Sequence, residues 1–243
     1  PALSHAQTPW IQSQRVGNEV RFLYANSIQR YNLATRSWLT AITLPRTGAT
    51  AFTGDDLGNV VAYGTSIFRY NTAWASEVAS GTTNSAIAHL FIDGSLLIAV
   101  HSAGLYGRIT TISRGTGTVI TTREVYVDSI YGASHAPGIN RLYGRTSGIS
   151  PSDIVTASYT TAGAITGPAG SPYHGDYPGA AQTFVFPDER KVVDSSGTVY
   201  TADSLIYAGS FGGSITDVDW NGDVPIVLRG TDLIAFRLSL IHI

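Results

Sequence analysis

Apolar and polar positions alternate in short runs along the whole chain, and no stretch carries the spacing of a long amphipathic helix. Period-two runs of four to eight residues bounded by Gly, Asn, Asp and Ser predict strands joined by tight turns. Residues 1–46 hold four such runs, at 10–14, 20–25, 28–33 and 38–44, separated by Gly17-Asn18, Asn26-Ser27 and Ala34-Thr35-Arg36. Four more lie between Ser85 and Val127, at 87–92, 96–100, 105–112 and 119–125. Their turns, Asp93-Gly94 and Gly115-Thr116-Gly117, carry the glycines that hairpins need for positive φ.

The runs also recur. Tyr24-Ala25-Asn26-Ser27-Ile28-Gln29-Arg30-Tyr31-Asn32 returns as Tyr63-Gly64-Thr65-Ser66-Ile67-Phe68-Arg69-Tyr70-Asn71, an offset of 39 residues. Fainter copies follow. Residues 96–100 are followed by 105–110, and Leu142-Tyr143-Gly144 by Ile154-Val155-Thr156 across a longer turn through Pro151. Residues 191–194 or 197–202 pair with 204–207 in a register left open, and Ile226-Val227-Leu228 precedes Gly230-Thr231-Asp232-Leu233-Ile234-Ala235-Phe236. Six units start near residues 7, 47, 84, 129, 180 and 214. A period of about 40 residues built from short strands predicts an all-β fold, a β-propeller of four-stranded antiparallel blades over residues 1–237, with the last blade truncated. An array of β-sandwiches is the competing architecture.

Within the first unit, Tyr31-Asn32-Leu33-Ala34-Thr35-Arg36-Ser37-Trp38 resembles the Tyr-Asp-x-x-Thr-x-x-Trp hairpin of kelch-type propeller blades, with Asn in place of Asp. Tyr70-Asn71-Thr72-Ala73-Trp74 keeps the residue types in a shorter turn, and the Gly-Gly doublet of kelch repeats is absent. The resemblance covers two of the six units. It implies that the aromatic pair packs between blades while Asn and Thr bond the turn backbone. Tyr31, Trp38, Tyr63, Phe68 and Tyr70 are therefore expected to be buried. Arg30 and Arg69, at equivalent positions, are expected to pair across adjacent blades.

Composition narrows the partners. Only 13% of residues are charged, the formal charge is −2 and Lys191 is the one lysine, so there is no field to attract nucleic acid or an anionic membrane. With no Cys, the chain forms neither disulfides nor thiolate metal sites. No apolar run reaches the length of a membrane-spanning helix, so no membrane insertion is expected. The chain contains no Met, which points to an internal piece of a longer protein. Leu238-Ser239-Leu240-Ile241-His242-Ile243 resembles the in-frame translation of a transposon end used in sequencing libraries, so residues 238–243 are set apart as a tail. The isolated chain is expected to self-associate through an open blade edge, and the full-length protein to be monomeric.

Residues 163–181 hold Pro168, Pro172, Pro178 and five glycines and read as one long loop, the type of element that carries binding on rigid scaffolds. Within it Tyr173, His174, Asp176 and Tyr177 form a candidate carbohydrate-binding edge, the rings stacking on sugar faces while His174 and Asp176 bond hydroxyls. The plain structural alternative is a crossover between blades with the Tyr rings covering the core. Asp217, Asp219, Asn221 and Asp223 stand at alternate positions with Gly222 sixth, as at the start of a Ca²⁺ loop. However, the ninth and twelfth positions are Pro225 and Leu228, and Asn221-Gly222 is a hairpin turn without any ion. His89 and His101 fall in the third unit and His135 in the fourth, where a metal across a propeller channel or plain structural roles are both open. Together these features predict a non-catalytic recognition or scaffolding module for a protein or carbohydrate ligand, in a secreted or surface bacterial protein. The alternative is a carbohydrate-active hydrolase or lyase working in the channel, which requires a facing carboxylate pair that no unit obviously supplies.

Overall fold

A computed structural model describes residues 10–101, 106–126, 130–146 and 150–236. Its strands form six antiparallel sheets, the blades of a β-propeller, each running through consecutive strands. The first sheet is β1 (Gln12–Val16), β2 (Glu19–Tyr24), β3 (Ser27–Asn32) and β4 (Ser37–Thr43). The second is β5 (Ala51–Asp55), β6 (Gly58–Tyr63), β7 (Ser66–Tyr70) and β8 (Glu77–Thr82). The third is β9 (Ile87–Asp93), β10 (Leu96–His101), β11 (Tyr106–Ser113) and β12 (Val119–Tyr126). The fourth is β13 (Tyr131–Ala136), β14 (Arg141–Arg145), β15 (Ile154–Tyr159) and β16 (Ile165–Gly170). The fifth is β17 (Thr183–Val185), β18 (Lys191–Asp194), β19 (Thr198–Thr201) and β20 (Tyr207–Ser210). The sixth has three described strands, β21 (Asp217–Asn221), β22 (Val224–Arg229) and β23 (Asp232–Ala235), and the tail at 238–243 lies outside the described residues. A single 3-10 turn, Pro137–Ile139, is the one helical element among the described residues, and no helix there is long and apolar enough to cross a membrane.

The 39-residue repeat is a repeat of register. Leu23 pairs with Ile28 across the β2–β3 turn as Ala62 pairs with Ile67 across the β6–β7 turn. All four side chains are at most 1% exposed, because strand alternation turns them to the same face in both sheets.

The chain divides into two compact units, residues 1–99 with 112–119, and residues 100–111 with 120–243. In the first unit, the initial strands of successive sheets lie side by side, β1 by β5 and β5 by β9. Leu23 and Ile28 of the first sheet, with Leu44 just after β4, pack on Phe52, Val61 and Tyr70 of the second. The opposite face of the second sheet, Ala51, Val60, Ala62 and Ile67, meets Ile87, Leu90, Leu97 and Ile112. Backbones approach closely here. A Cβ on Gly117, whose φ is +75°, would overlap the carbonyl oxygen of Ser80, so only glycine fits that turn. In the second unit β13 lies by β17, and its core includes two clusters among the described residues. One joins Tyr143 and Ile154 to Val192, Tyr200 and Leu205; the other joins Phe184, Phe186, Val193 and Phe211 to Val227.

Three expectations change on contact with the structure. Residues 165–170 are not loop but β16, paired with β15 across a register shift between Thr156 and Ser158. Trp38 is 49% exposed rather than buried, while Tyr70 is 5% exposed and Tyr31, Tyr63 and Phe68 are half-buried. The reason is position: the Tyr31–Trp38 face of the first sheet points away from the second sheet, which the Leu23–Ile28 face covers. Arg69 does bridge sheets, donating from Nη1 to the carbonyls of Arg114 and Gly115 at 2.8 Å each, but Arg30 bonds Glu19 and the carbonyl of Thr40 within its own sheet.

Candidate functional site

The most irregular described segment, residues 171–182, connects β16 to β17 and is tied down at both ends. Ser171 donates its N–H to the Ile154 carbonyl at 3.1 Å and its hydroxyl to Asp153 at 3.1 Å. At the far end the N–H groups of Ala181 and Gln182 both donate to Ser195 Oγ, at 2.9 and 3.3 Å. Gly175 turns the loop over Pro151 at φ +79°, where a Cβ would meet the proline ring. Beneath the loop, Arg145 donates to the carbonyls of Ser152 at 2.6 Å and Pro178 at 3.4 Å and to Asp194 Oδ2 at 2.9 Å. Such anchoring removes conformational entropy from the loop before any ligand arrives.

The structure brings Tyr173 and Tyr177 together and adds two rings that the linear sequence does not connect. Tyr177 stands edge-on to Tyr173 at 5.1 Å and to Tyr200 at 5.7 Å, and stacks parallel to Tyr207 at 5.3 Å, at an interplanar angle of 3°. The Tyr173 hydroxyl accepts the Tyr207 N–H at 3.3 Å. Burial raises the Tyr177 phenol pKa above its ordinary value, and the neighbouring phenols and Asp176 push the same way, so this ring stays neutral at physiological pH. Tyr177 thus also packs on the core of the fourth and fifth sheets. His174 points outward: its side chain is 83% exposed and Nδ1 lies 3.8 Å from Asp153 Oδ2. Asp176 is exposed beside it. The result is an aromatic floor with a polar rim, able to stack on an apolar ring face and to bond hydroxyls.

The second candidate set is spread out. Asp217, Asp219 and Asn221 occupy β21, and Gly222-Asp223 form a two-residue hairpin turn with Gly222 at φ +61° and Asn221 paired to Val224. Alternation puts the three on one face, where with Ile226, Leu228 and Leu233 they line an open concavity of about 360 Å³. An extended strand separates same-face neighbours by about 6.6 Å, whereas calcium ligands converge to about 2.4 Å from the ion. The side chains of Asp217 and Asp219 instead accept the N–H of the next residue, Val218 at 2.9 Å and Trp220 at 2.8 Å. Burial, aided by the charge of Asp219, holds the Asp217 carboxyl above its usual range.

The histidines have local partners. His89 stacks on Phe91, and burial lowers its pKa to about 4. His101 Nε2 lies 2.8 Å from Thr110 Oγ1, and His135 Nε2 lies 2.7 Å from the Tyr159 hydroxyl. Among the described residues no three His, Asp or Glu side chains gather around a common point.

Repeated four-stranded antiparallel blades place the chain in the β-propeller class. No family model and no curated protein matches it. Among solved structures it is similar to hydrazine synthase of Kuenenia stuttgartiensis, at 12% identity and a TM-score of 0.70, over 92% of this chain and 81% of that one. It is also similar to the WD40 domain of Neurospora crassa Pan2, at 15% identity and 0.63, over 90% and 71%. Hsv2 of Kluyveromyces lactis matches at 13% and 0.64, over 90% and 70%. At these identities the likeness is one of fold alone.

Proposed function

We propose that the chain is a non-catalytic recognition module of a secreted or surface bacterial protein, and that residues 171–182 bind a carbohydrate. The observation that carries this reading is the Tyr177–Tyr207 stack held on anchored backbone beneath the exposed His174 and Asp176. Such a floor is rigid before binding, and Tyr207 itself is 38% exposed, leaving ring surface for a sugar face. The kelch-type reading of the first hairpin is supported by its turn chemistry. Asn32 Oδ1 accepts the N–H of Ala34 at 2.9 Å and of Thr35 at 3.0 Å, and Tyr31 meets Trp38 edge-on at 5.3 Å.

The test is a panel of purified oligosaccharides titrated calorimetrically against the chain and its Tyr207→Ala and His174→Ala variants. Binding that weakens about 10-fold or more in each variant, roughly 1.4 kcal/mol, supports the site. Binding unchanged by both variants places the ligand elsewhere, and cleavage of a bound oligosaccharide makes the protein an enzyme.

A further inference from the structure

The loop at 171–182 carries a charge pattern that sorts one sugar from another. Asp176 is exposed, and its charge acts on the neighbouring Tyr177 phenol. Asp153 accepts the Ser171 hydroxyl through Oδ1 at 3.1 Å, while its Oδ2 lies 3.8 Å from His174 Nδ1. Ser171 Oγ in turn accepts the Tyr173 N–H at 3.3 Å, so this carboxylate is tied to the segment that carries the first ring of the floor.

The cations around the loop already have partners. Arg145 is buried against Asp194 at 2.9 Å and against the carbonyls of Ser152 and Pro178. Arg141 donates from Nη1 to the carbonyls of Ala202 and Asp203 at 2.7 Å each, in the turn that leads into β20. There the Asp203 carboxyl, held below its usual range by the Ser204 hydroxyl, supplies an opposing charge. His174 is the other titratable group at the rim, with its side chain 83% exposed. The charge left at the rim is therefore the negative charge of Asp153 and Asp176.

The floor has the same sign. The π face of a tyrosine is electron-rich, so the exposed Tyr207 ring, stacked on Tyr177 at 5.3 Å, attracts a cation above it and repels an anion. A protonated sugar amine brings its own charge to both contacts. An N-acetyl group brings only a neutral amide, and a uronate brings a charge that ring face and carboxylates both oppose.

We propose, on the basis of the carbohydrate reading above, that this loop selects sugars with a free amino group, glucosamine-type units, over N-acetylated sugars and uronates. The sugar ring lies on Tyr207, Asp176 accepts from the ammonium, and Asp153 adds to the attracting field.

Calorimetric titration with three probes tests this: a fully deacetylated glucosamine tetrasaccharide, its N-acetylated counterpart and a galacturonate tetrasaccharide, at a pH that keeps the amine protonated. The amine form should bind about 10-fold tighter than the N-acetylated one, and the galacturonate weakest of the three. Asp176→Asn, at an exposed position, should remove most of the preference for the amine while leaving the affinity for the N-acetylated sugar unchanged. His174→Gln, which removes the rim group able to compete as a cation, should keep the preference, and added salt should narrow it. Equal or tighter binding of either other probe, lost in Tyr207→Ala, overturns this selectivity and leaves the carbohydrate reading standing. So does an amine preference that survives Asp176→Asn, or binding of some other oligosaccharide when none of the three binds. Failure of every oligosaccharide to bind, or binding indifferent to Tyr207→Ala, removes both.

Discussion

The first and second sheets are joined by carboxamides, whereas the fourth and fifth are joined by a buried ion pair. In the former, Gln12 and Gln14 bond the edge of β5, and Arg21 Nη1 donates to Asn59 Oδ1 at 2.5 Å over an apolar cluster. In the latter, Arg145 and Asp194 are 1% and 0% exposed and meet at 2.9 Å. Asp194 also accepts from Ser196, by its N–H at 3.0 Å and its hydroxyl at 2.5 Å. Thr183 reinforces the contact, donating to the carbonyls of Gly132 and Tyr143. One repeat geometry thus tolerates different polar chemistry at its sheet contacts, and Arg145 meets its partners through Nη1 and Nη2 while its Nε is buried without one. The two contacts fail differently: a lost carboxamide leaves exchangeable backbone groups at an edge, but a lost carboxylate leaves a buried cation.

The largest expected effect follows from that difference. Asp194→Leu should lower unfolding stability by about 3–5 kcal/mol, because Arg145 is left uncompensated in a dry site; urea titration measures it. Ile67→Ala, in the apolar contact between the second and third sheets, should cost about 2–5 kcal/mol, and Ile28→Ala, in that between the first and second, should match it if the two sites are equivalent. Gln14→Ala should cost only about 1 kcal/mol, a neutral hydrogen bond's net contribution. A Gln14→Ala loss as large as that of Asp194→Leu would erase the distinction.

How far the chain could be read beforehand depended on whether the signal was local. The paired hairpins at 24–32 and 63–71 announced the repeat because their residues are neighbours in sequence and share one register. β16 was hidden by Pro168, Gly167 and Gly170, residues that weaken a strand signal. It survives because it is an outer strand, paired among the described strands with β15, where a proline need not donate on its free side. The Tyr177–Tyr207 stack and the Arg145–Asp194 pair bridge 30 and 49 residues, and no spacing rule links such partners. Trp38 carried the right residue type for an interface, but burial depends on which sheet face a neighbour covers.

The smallest predicted effect places a third contact between these two. Arg114 donates from both terminal nitrogens to Asp55 at 2.6 Å each, joining the second and third sheets at a partly exposed site. That pairing lowers the Asp55 pKa below its usual 3.8. The contribution is therefore complete above pH 3.8 and is lost as pH falls through the lower folded value. Asp55→Asn should cost about 0.5–1 kcal/mol at neutral pH, given its solvent screening. The difference from wild type should shrink below pH 3.8, as followed by acid titration of stability.

The most direct measurement is a double-mutant cycle on Arg145 and Asp194, using Arg145→Met and Asp194→Leu singly and together in urea. If the pair closes this contact as a unit, the double variant should be more stable than Asp194→Leu alone, with a coupling of at least about 2 kcal/mol. Strictly additive losses would contradict the account, since they would mean that the two side chains stabilise the fourth and fifth sheets independently.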